Sequence, residues 1–391
     1  MHKIQTLNKI SPIGLDLFPR DAYEVASEIV NPEAVVVRSF NMLEMEIPAS
    51  VLSIARAGAG VNNIPVDKCT DRGIVVFNTP GANANSVKEL VLAGLLLSSR
   101  RLVPGIAWAK TLIGKGGEVG KLVEKGKSDF TGPEIKGKRL GVIGLGAIGV
   151  MVANDAVELG MEVVGYDPFI SVAAAWKLSR GVGQAKGLES LFADCDYISL
   201  HVPLTDSTKN MINRERIAQM KRGVRVLNFS RGALVNDADI IEALGSGQVA
   251  AYVTDFPDET LLKQENVIAF PHLGASTPEA EDNCAVMAVN QTKEFLEFGN
   301  IKNSVNFPEC EMYLRSSTRV VIANRNVPNM VGQITSLLAA EKINISDLLN
   351  RHKGDLAYNI IDVDGALSAE AVEKIRGIEG VIMARVIRRK G

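Results

Sequence analysis

Short apolar runs alternate with helical patterns along the first eighty residues. The segments 34–38 (Ala-Val-Val-Val-Arg) and 75–77 (Val-Val-Phe) have the length and composition of buried strands, and residues 21–30 have the spacing of a helix. After the turn at Pro80-Gly81, residues 86–102 form a strongly apolar helical pattern that we expect to carry the chain from a first domain into a second. Residues 114–130 predict a surface helix or loop. The alternation favours an α/β fold in which this domain is Rossmann-like with a doubly wound parallel sheet.

From residue 137 to about residue 280 the same alternation is more regular. It predicts six strands, at residues 140–143, 162–166, 197–201, 225–228, 250–254 and 267–269. Six is the number expected for a complete doubly wound, Rossmann-like nucleotide-binding domain.

A long helical pattern starts near Thr277-Pro278 and runs to about Phe298, with proline in its first turn. The simplest topology has this helix return the chain to the first domain. We therefore predict a discontinuous substrate-binding domain (residues 1–92 and 283–310) on both flanks of a nucleotide-binding domain (residues 93–282).

The pattern restarts after residue 308. Strands are predicted at 319–324, 343–349, 357–363 and 381–387, with helices at 330–340 and 369–375. This β-α-β-β-α-β order fits a ferredoxin-like module over residues 318–391.

Composition narrows the function classes. The chain of 391 residues is 46% hydrophobic and 23% charged, with a net charge of −2, so neither nucleic acid nor an anionic membrane is expected as a partner. No signal-peptide pattern and no long uncharged apolar run is visible. The cysteines are scattered without a CxxC pair, which predicts no metal site, no disulfide framework and a cytoplasmic protein.

The strongest motif is Gly144-x-Gly146-x-x-Gly149, which follows an apolar run at 139–143 and opens a helical pattern at 147–159. A second apolar run then ends at Asp167. Strand, glycine turn, helix and acid in this order predict a dinucleotide site, with the pyrophosphate at the helix N-terminus. A carboxylate at the ribose repels a 2′-phosphate, so NAD is favoured over NADP. The alternative is that Asp167 only caps the turn before Pro168.

A nicotinamide enzyme needs a group that moves the alcohol proton. His272 follows a predicted strand and precedes the long helix, which makes it the best of the four histidines. His201 ends another strand, where it lines the nicotinamide side or serves a structural role. His2 is expected at a flexible terminus, and His352, beside Arg351 and Lys353, looks solvated.

A carboxylate should orient that imidazole, and a cation should hold the substrate's carboxylate. Asp255, Asp258 and Glu259 follow the preceding strand, and the residues alone do not choose among them. Arg231, after another strand end, has the planar fork suited to a carboxylate; the alternative is a surface arginine.

The small-residue loop at 56–63 can bind an anion through its backbone N–H groups, with Arg56 beside it and Arg38 at the end of the preceding strand. If Arg38 and Arg56 lie on one wall of a cleft, their two positive charges suit a substrate with more negative charge than a simple hydroxy acid. Structural salt bridges are the alternative.

Together these motifs resemble the D-2-hydroxyacid dehydrogenase family over nearly the whole chain. The match includes the 56–63 loop, residues 78–80, the glycine motif, residues 166–168, 201–205, 230–232 and 271–277. The resemblance implies an Arg231, Glu259 and His272 catalytic set, where Glu259 is chosen by the family's Phe-Pro-x-Glu pattern. Thr254 stands where relatives usually have aspartate, with Asp255 one residue later, so either position could contact the nicotinamide.

The resemblance also implies substrate and cofactor contacts. Within the family the chain is most similar to members that oxidise 3-phosphoglycerate to phosphohydroxypyruvate. Cofactor contacts are expected at Thr79, Gly144, Gly146, Ala147, Ile148, Gly149, Asp167, His201, Val202, Pro203, Phe229, Ser230, Asp255, Gly274 and Ala275. Substrate contacts are expected at Arg38, Arg56, Gly58, Ala59, Gly60, Asn83 and Lys127, the last reaching a partner subunit's site in a homodimer or homotetramer.

The last module resembles an ACT domain, which implies serine as a feedback effector. Asn324, Asn326 and Asn344 match effector-contacting positions, with ordinary turn asparagines as the alternative. Two other functions remain open: a reductase for glyoxylate, hydroxypyruvate or another 2-keto acid, and a non-catalytic NAD-sensing protein similar to corepressors.

Overall fold

The computed structural model describes residues 1–388 and divides the chain into two compact units. The first unit contains Met1–Ala82 and the described residues from Pro278 onward, and the second contains Asn83–Thr277. The predicted C-terminal module runs to residue 391, so its end, 389–391, lies outside the described residues. The functional roles and exact bounds of the predicted domains stay predictions.

The first unit begins with a parallel sheet. Its elements are β1 (His2–Leu7), α1 (Pro12–Leu15), β2 (Tyr23–Ala26), β3 (Ala34–Val37), β4 (Ser53–Arg56), α2 (Val66–Asp71) and β5 (Val75–Phe77). The strand order is β2-β1-β3-β4-β5, with parallel pairing throughout. All four residues of β3 are buried, as expected for a central strand covered on both faces. The predicted strands in this region are confirmed.

The helix predicted at residues 21–30 is wrong. The structure places β2 there, paired with β1, which itself was not predicted. Tyr23 is buried, with its ring 4.8 Å from that of Phe18. A run of four residues covers about one helical turn, so its apolar spacing does not distinguish helix from strand. Pairing with β1 decides the outcome, and that contact is not local in the sequence.

The second unit carries most of the predicted nucleotide domain. Its elements are α3 (Ala84–Ser99), α4 (Leu102–Lys110), α5 (Val119–Gly126), β6 (Arg139–Ile143), α6 (Ala147–Glu158), β7 (Glu162–Tyr166), α7 (Val172–Ala175), β8 (Val182–Gln184), α8 (Leu188–Asp194), β9 (Tyr197–Leu200), α9 (Arg214–Ala218), β10 (Val224–Asn228), α10 (Asp237–Ser246), β11 (Val249–Thr254), α11 (Glu259–Leu262) and β12 (Val267–Ala269).

These strands form a parallel sheet in the order β12-β11-β10-β9-β6-β7-β8. All six predicted strands are confirmed. The seventh, β8, was missed because it is short and its residues 183 and 184 are exposed, so it has no apolar signature. The chain order reverses between β6 and β9, and the crevice beyond the carboxyl ends of strands at such a point is where α/β sheets bind ligands.

The helix predicted at residues 86–102 is observed as α3 and ends earlier. Arg101 adopts a left-handed conformation (φ 36°) and separates α3 from α4. Within residues 1–388 no single helix is long and apolar enough to cross a membrane. The helices α3 and α4 reach that length and apolar composition only when taken together, and the chain bends by 70° between them.

The chain returns to the first unit through α12 (Pro278–Phe298), as predicted. It then forms β13 (Thr318–Arg325), α13 (Met330–Ala340), β14 (Ile345–Lys353), β15 (Leu356–Val363), α14 (Ala369–Arg376) and β16 (Val381–Arg388). These strands make an antiparallel sheet in the order β14-β15-β13-β16. The predicted β-α-β-β-α-β order is confirmed.

The antiparallel sheet is packed on both faces. Val320 and Ile361 lie in a core with α13 and α14, whereas Val321 and Tyr358 lie in the core shared with α12 and the parallel sheet. A fully buried ion pair joins Arg319 to Asp362, with 2.6 Å between Nε and Oδ1. The same guanidinium donates to the carbonyl oxygens of residues 298 and 312. The module is therefore part of the first unit's core.

Candidate functional site

The glycine motif follows β6, and its three glycines differ in what an added side chain would meet at each position. Gly144 has a φ of +93°, and a Cβ there would lie 2.6 Å from the His201 carbonyl oxygen. A Cβ at Gly149 would lie 1.9 Å from the Gly144 carbonyl oxygen. A Cβ at Gly146 would meet no atom of the described residues within 4 Å. Packing therefore requires the outer two glycines, while the middle one borders open space.

That open space lies at the N-terminus of α6. Gly146 is the N-cap residue and supplies no side-chain cap, and the first turn, which contains Ala147 and Ile148, has no acidic residue. The free backbone N–H groups and the positive end of the helix dipole make such a terminus suitable for an anion. The residues present fit the pyrophosphate of a dinucleotide, because a side chain at position 146 would fill the space that it needs.

Asp167 follows β7 directly. Its Oδ2 accepts a hydrogen bond from the Leu145 N–H at 2.8 Å, and its Oδ1 accepts one from the Phe169 N–H at 2.8 Å. The carboxylate thus links the glycine turn to the turn at Pro168. Asp167 therefore has the turn-capping role that the sequence offered as the alternative to ribose binding. Each oxygen retains a lone pair, since an ionised carboxylate has about four acceptor sites. Asp167 can accept ribose hydroxyls while it holds the turn.

His201 ends β9 and is held by its neighbours. Its ring Nε2 lies 2.8 Å from Ser199 Oγ, and the backbone N–H of His201 donates to the Ile143 carbonyl oxygen at 2.7 Å. Burial lowers the pKa of the imidazole to about 4, so the ring is neutral near pH 7. Ser199 was missed by the sequence analysis, although its position two residues earlier puts it on the same strand face. Val202 is half-buried and Pro203 is exposed.

The low pKa of His201 predicts acid sensitivity. Between about pH 6.5 and pH 4 the unfolded chain binds a proton at this imidazole that the folded chain does not, so the free energy of unfolding falls as the pH is lowered, by about 2–3 kcal/mol. We expect His201→Gln to lose less thermal stability over this pH range than the wild type, as measured by thermal unfolding. His352→Gln, at an exposed histidine, should behave as the wild type. An identical loss in His201→Gln would contradict the assignment.

Arg231 follows β10 in a turn fixed by its neighbours. Asn228 Nδ2 donates to the Arg231 carbonyl at 2.9 Å, and Ser230 Oγ donates to the Leu200 carbonyl at 2.7 Å. Phe229 is buried, with its ring 5.9 Å from that of Phe270. The Arg231 side chain is exposed. The turn therefore presents a guanidinium at the carboxyl end of the sheet.

Asp255 is the buried carboxylate of this site. It is 3% exposed, and its Oδ1 has no hydrogen-bond partner within residues 1–388. Burial raises the pKa of Asp255, while the charges of His272 and Arg231 lower it. A Cβ at Gly274 would lie 3.7 Å from Oδ2, so the carboxylate faces the loop that follows His272. The structure therefore brings Arg231, Asp255 and His272 into one electrostatic group.

His272 is exposed, and its ring packs on Phe256 with 4.8 Å between the centroids. Phe256 was not predicted as a site residue, and the sequence carries no signal for it beyond its place in the same turn. Thr254, where relatives usually have aspartate, is buried and its Oγ1 accepts from the Phe256 N–H at 3.1 Å. Thr254 thus shapes the turn that holds Phe256 under the imidazole.

The predicted pairing of Glu259 with His272 stays a prediction. Glu259 begins α11, its side chain is 84% exposed, and its Oε1 lies 2.7 Å from Lys263 Nζ one helical turn later. Asp258 is the N-cap of that helix and accepts from the Leu261 N–H. The charge of His272 is one of the causes that lower the pKa of the third carboxylate, Asp255.

The predicted substrate residues of the first unit are close together. Arg56 Nε donates to the Arg38 carbonyl at 3.2 Å, and Arg38 forms an ion pair with Glu281 at 2.8 Å. A Cβ at Gly58 would lie 2.0 Å from Arg56 Nη1, so this glycine makes room for the guanidinium. Thr79 is fully buried, and its N–H donates to the Gly58 carbonyl at 3.1 Å. Arg38 therefore makes the kind of structural salt bridge that the sequence left open as the alternative to a substrate contact.

Asn83 and Lys127 lie in the second unit. Asn83 precedes α3 as its N-cap residue without a side-chain cap bond. Lys127 Nζ lies 2.5 Å from Glu124 Oε2 and is exposed. Its contact with a partner subunit stays a prediction, as does the homo-oligomer.

Two of the three predicted effector asparagines are accessible. Asn326 donates to the Gly354 carbonyl and Asn344 to Asp364, and both are exposed. Asn324 is 1% exposed and accepts from Asn359 Nδ2 at 2.7 Å. The Asn324 amide is used inside the sheet, and its role as an effector contact stays a prediction.

Comparison with known proteins bears on this site. The family model described as D-isomer specific 2-hydroxyacid dehydrogenase, NAD binding domain, matches residues 95–274. D-3-phosphoglycerate dehydrogenase of Haemophilus influenzae is 31% identical over an alignment 402 residues long, and this alignment covers 98% of this chain and 94% of that protein. The chain belongs to the D-isomer specific 2-hydroxyacid dehydrogenase family. NAD is the cofactor of the matched domain, which agrees with the prediction from Asp167.

Other members of the family are longer. D-3-phosphoglycerate dehydrogenase of Methanocaldococcus jannaschii is 34% identical over 87% of this chain, and the chain spans 63% of its length. An NAD⁺-bound 3-phosphoglycerate dehydrogenase of Entamoeba histolytica superposes with a TM-score of 0.61 at 27% identity, covering 78% of this chain and 98% of that one. D-mandelate dehydrogenase of Rhodotorula graminis (TM-score 0.66, 22% identity, 80% of this chain and 98% of that one) shows the shared fold.

Proposed function

We propose that this family member catalyses the NAD-dependent oxidation of 3-phospho-D-glycerate to 3-phosphohydroxypyruvate. The observation that carries the proposal is the match to the Haemophilus influenzae D-3-phosphoglycerate dehydrogenase over nearly the full length of both chains. The group formed by Arg231, Asp255 and His272 supports it, because it combines a titratable base, a carboxylate and a cation at one sheet edge.

In the proposed reaction, NAD held at the glycine turn and Asp167 would supply the acceptor for the hydride that leaves C2 of the substrate. His272 removes the proton from the C2 hydroxyl, so the alcohol loses one hydride and one proton and becomes a ketone. The buried carboxylate of Asp255 is proposed to stabilise the imidazolium through its charge, and the imidazole ring rests on Phe256. Proton and hydride are thereby both accounted for.

Arg231 is the proposed anchor for the substrate carboxylate. A guanidinium binds a carboxylate through two parallel hydrogen bonds and also polarises the neighbouring carbonyl of the product. Arg56 and the backbone amides of the 58–60 loop are the proposed phosphate contacts, because a run of small residues leaves the N–H groups open to an anion.

A pair of substitutions tests which carboxylate assists His272. We expect Asp255→Asn to lower kcat by about 10²-fold or more, since the imidazolium loses a buried counter-charge. Glu259→Gln should change kcat by no more than about threefold, since its carboxylate is exposed and bound to Lys263. The pH profile of kcat/KM for Asp255→Asn should also show a lower apparent pKa. A larger effect from Glu259→Gln would assign the role to Glu259.

The direct test of the activity is the absorbance of NADH in the reverse reaction. With phosphohydroxypyruvate as substrate we expect turnover with a higher kcat/KM than with hydroxypyruvate or glyoxylate. A preference for a substrate without phosphate would identify a 2-keto acid reductase instead. NADH binding without turnover of any of the three would indicate an NAD-sensing protein.

The C-terminal module is proposed to be an ACT domain that binds serine. The β-α-β-β-α-β order and the exposed Asn326 and Asn344 support this. We expect L-serine to alter kcat and raise the melting temperature, and Asn326→Ala to weaken both effects without a change in basal kcat. The proposal fails if L-serine changes neither the rate nor the melting temperature of the wild type.

A further inference from the structure

Two residues after β5 hold the loop at 58–60 by its carbonyl groups. Asn78 Nδ2 donates to the Ala59 carbonyl oxygen at 2.6 Å, and the Thr79 N–H donates to the Gly58 carbonyl oxygen at 3.1 Å. These peptide bonds are trans, and in a trans peptide the carbonyl and the N–H of the same unit point in opposite directions. The two hydrogen bonds therefore fix the direction of the N–H groups that follow these carbonyls in the chain.

The N–H groups directed in this way are available to an anion. The Gly58 N–H is already used, since it donates to the Arg56 carbonyl oxygen at 2.9 Å. The N–H groups of Ala59 and Gly60 make no hydrogen bond within the described residues, and Ala59 is exposed. The Gly60 N–H shares its peptide unit with the carbonyl that Asn78 binds. Asn78 therefore orients one of the two donors that the loop offers to an anion.

Asn78 is itself held by the chain that follows α12. The strand β5 is at the edge of the parallel sheet, and the 303–306 segment lies along that edge. The Val305 N–H donates to the Val76 carbonyl oxygen at 2.9 Å, and the Asn78 N–H donates to the Asn303 carbonyl oxygen at 3.3 Å. The position of Asn78 therefore depends on the 303–306 segment.

The side chain of Asn306 fixes this segment to the sheet. Asn306 is 8% exposed, and its Oδ1 accepts from the Val76 N–H at 2.9 Å. Its Nδ2 donates to the Ile74 carbonyl oxygen at 2.9 Å and to Thr70 Oγ1 at 3.0 Å. A buried amide whose donor and acceptor are both used is costly to displace. We therefore expect β5 and the 303–306 segment to move together.

The C-terminal module contacts the same segment through Lys353, the last residue of β14. Lys353 Nζ donates to the carbonyl oxygens of Ser304 at 3.3 Å and Val305 at 2.9 Å. The turn after Lys353 is fixed in turn, because Asn326 Nδ2 donates to the Gly354 carbonyl oxygen at 3.2 Å. A charged donor that binds two successive carbonyls restrains the segment in one conformation.

We propose that Asn78 is a positioning residue for the substrate phosphate, and that Lys353 acts on the same loop through the 303–306 segment. The C-terminal module thereby sets the affinity for the phosphorylated end of the substrate, while the chemistry at His272 is unchanged. This inference rests on the proposed function, which takes the 58–60 loop as the phosphate site. Its signature is a change in KM without a change in kcat, confined to substrates that carry a phosphate.

The test is steady-state kinetics of the full chain with phosphohydroxypyruvate and with hydroxypyruvate, which differ only in the phosphate. The variants are Asn78→Ala, Lys353→Met and the double variant. Lys353→Arg keeps a charged donor at the end of β14. Lys302→Met is the matched control, because it removes one lysine charge next to the 303–306 segment at an exposed side chain that pairs with Glu311.

With phosphohydroxypyruvate we expect Asn78→Ala to raise KM about three- to tenfold and Lys353→Met about two- to fivefold, the effect of one lost hydrogen bond. In both variants kcat should stay at the wild-type value, as should KM for hydroxypyruvate. Lys353→Arg and Lys302→Met should behave as the wild type. Because Lys353 acts through Asn78, the double variant should have no higher KM than Asn78→Ala alone.

Calorimetry with inorganic phosphate tests the loop without turnover, with the nucleotide site saturated by NADH. We expect the wild type to bind phosphate with a millimolar Kd, and Asn78→Ala to bind it at least about threefold more weakly. This result in a protein that does not reduce phosphohydroxypyruvate would refute the proposed function and would support the role of Asn78. Wild-type melting temperatures and NADH affinities show that the variants fold.

The inference is overturned if Asn78→Ala keeps the wild-type KM and phosphate affinity, or if it raises KM equally for both substrates, which indicates a general structural role. Additive losses in the double variant would refute the route from Lys353 through Asn78. A wild type that neither binds phosphate nor prefers the phosphorylated substrate would refute both the inference and the proposed function.

Discussion

Replacement of His272 by alanine is expected to lower kcat by about 10²–10⁴-fold, the range typical of a lost general base. The affinity for NAD should change little, since the substitution removes neither the glycine turn nor Asp167. His272 is exposed and packs only on Phe256 among the ring contacts of the described residues, so the variant should fold. Steady-state kinetics with phosphohydroxypyruvate and a fluorescence titration with NADH measure the two quantities.

A histidine outside the site provides the control for this experiment. His352 lies on β14 in the antiparallel sheet and is exposed. His352→Ala should leave kcat, KM and NADH affinity at the wild-type values. Normal turnover by His272→Ala would refute the assignment of the base, and with it the enzymatic role of the Arg231, Asp255 and His272 group.

The second large effect separates two glycines of the same motif. We expect Gly146→Ala to fold normally and to bind NADH at least about tenfold more weakly, because its methyl group enters open space where the pyrophosphate would lie. We expect Gly149→Ala to lose stability by about 1–3 kcal/mol, because its Cβ would lie 1.9 Å from the Gly144 carbonyl oxygen and the backbone must move.

Thermal unfolding and NADH titration of both variants provide the readouts. In Gly146→Ala the melting temperature should stay near the wild-type value while the affinity falls. In Gly149→Ala the melting temperature itself should fall. Wild-type NADH affinity in Gly146→Ala would mean that the cofactor does not approach this backbone, and an unchanged melting temperature in Gly149→Ala would contradict the packing argument.

Local patterns account for the elements that were predicted correctly. The six predicted strands of the second unit are predominantly apolar runs, and the βαβ order around Gly144 is visible in about thirty residues of sequence. The helix α13 was predicted with the observed bounds, Met330–Ala340. In these segments the hydrophobic period, the turn residues and the tertiary environment all favour the same structure.

Segments whose structure depends on distant partners were predicted less well. The strand β2 exists because it pairs with β1, and β8 because it pairs with β7. Neither segment is long or apolar enough for its own period to indicate a strand. The buried pair of Arg319 and Asp362 had no sequence signal either, since the two residues are 43 positions apart.

By itself, the sequence determined the fold class, the nucleotide motif, the preference for NAD and the set of candidate residues, because each is encoded in short runs with a fixed order. Only the tertiary structure decided that Asp255 is buried, that Glu259 is bound to Lys263, and that Asn324 is buried. The physical reason is that burial and charge proximity depend on how the ends of separate strands meet. A list of acidic residues in one loop contains no information about which of them faces the core.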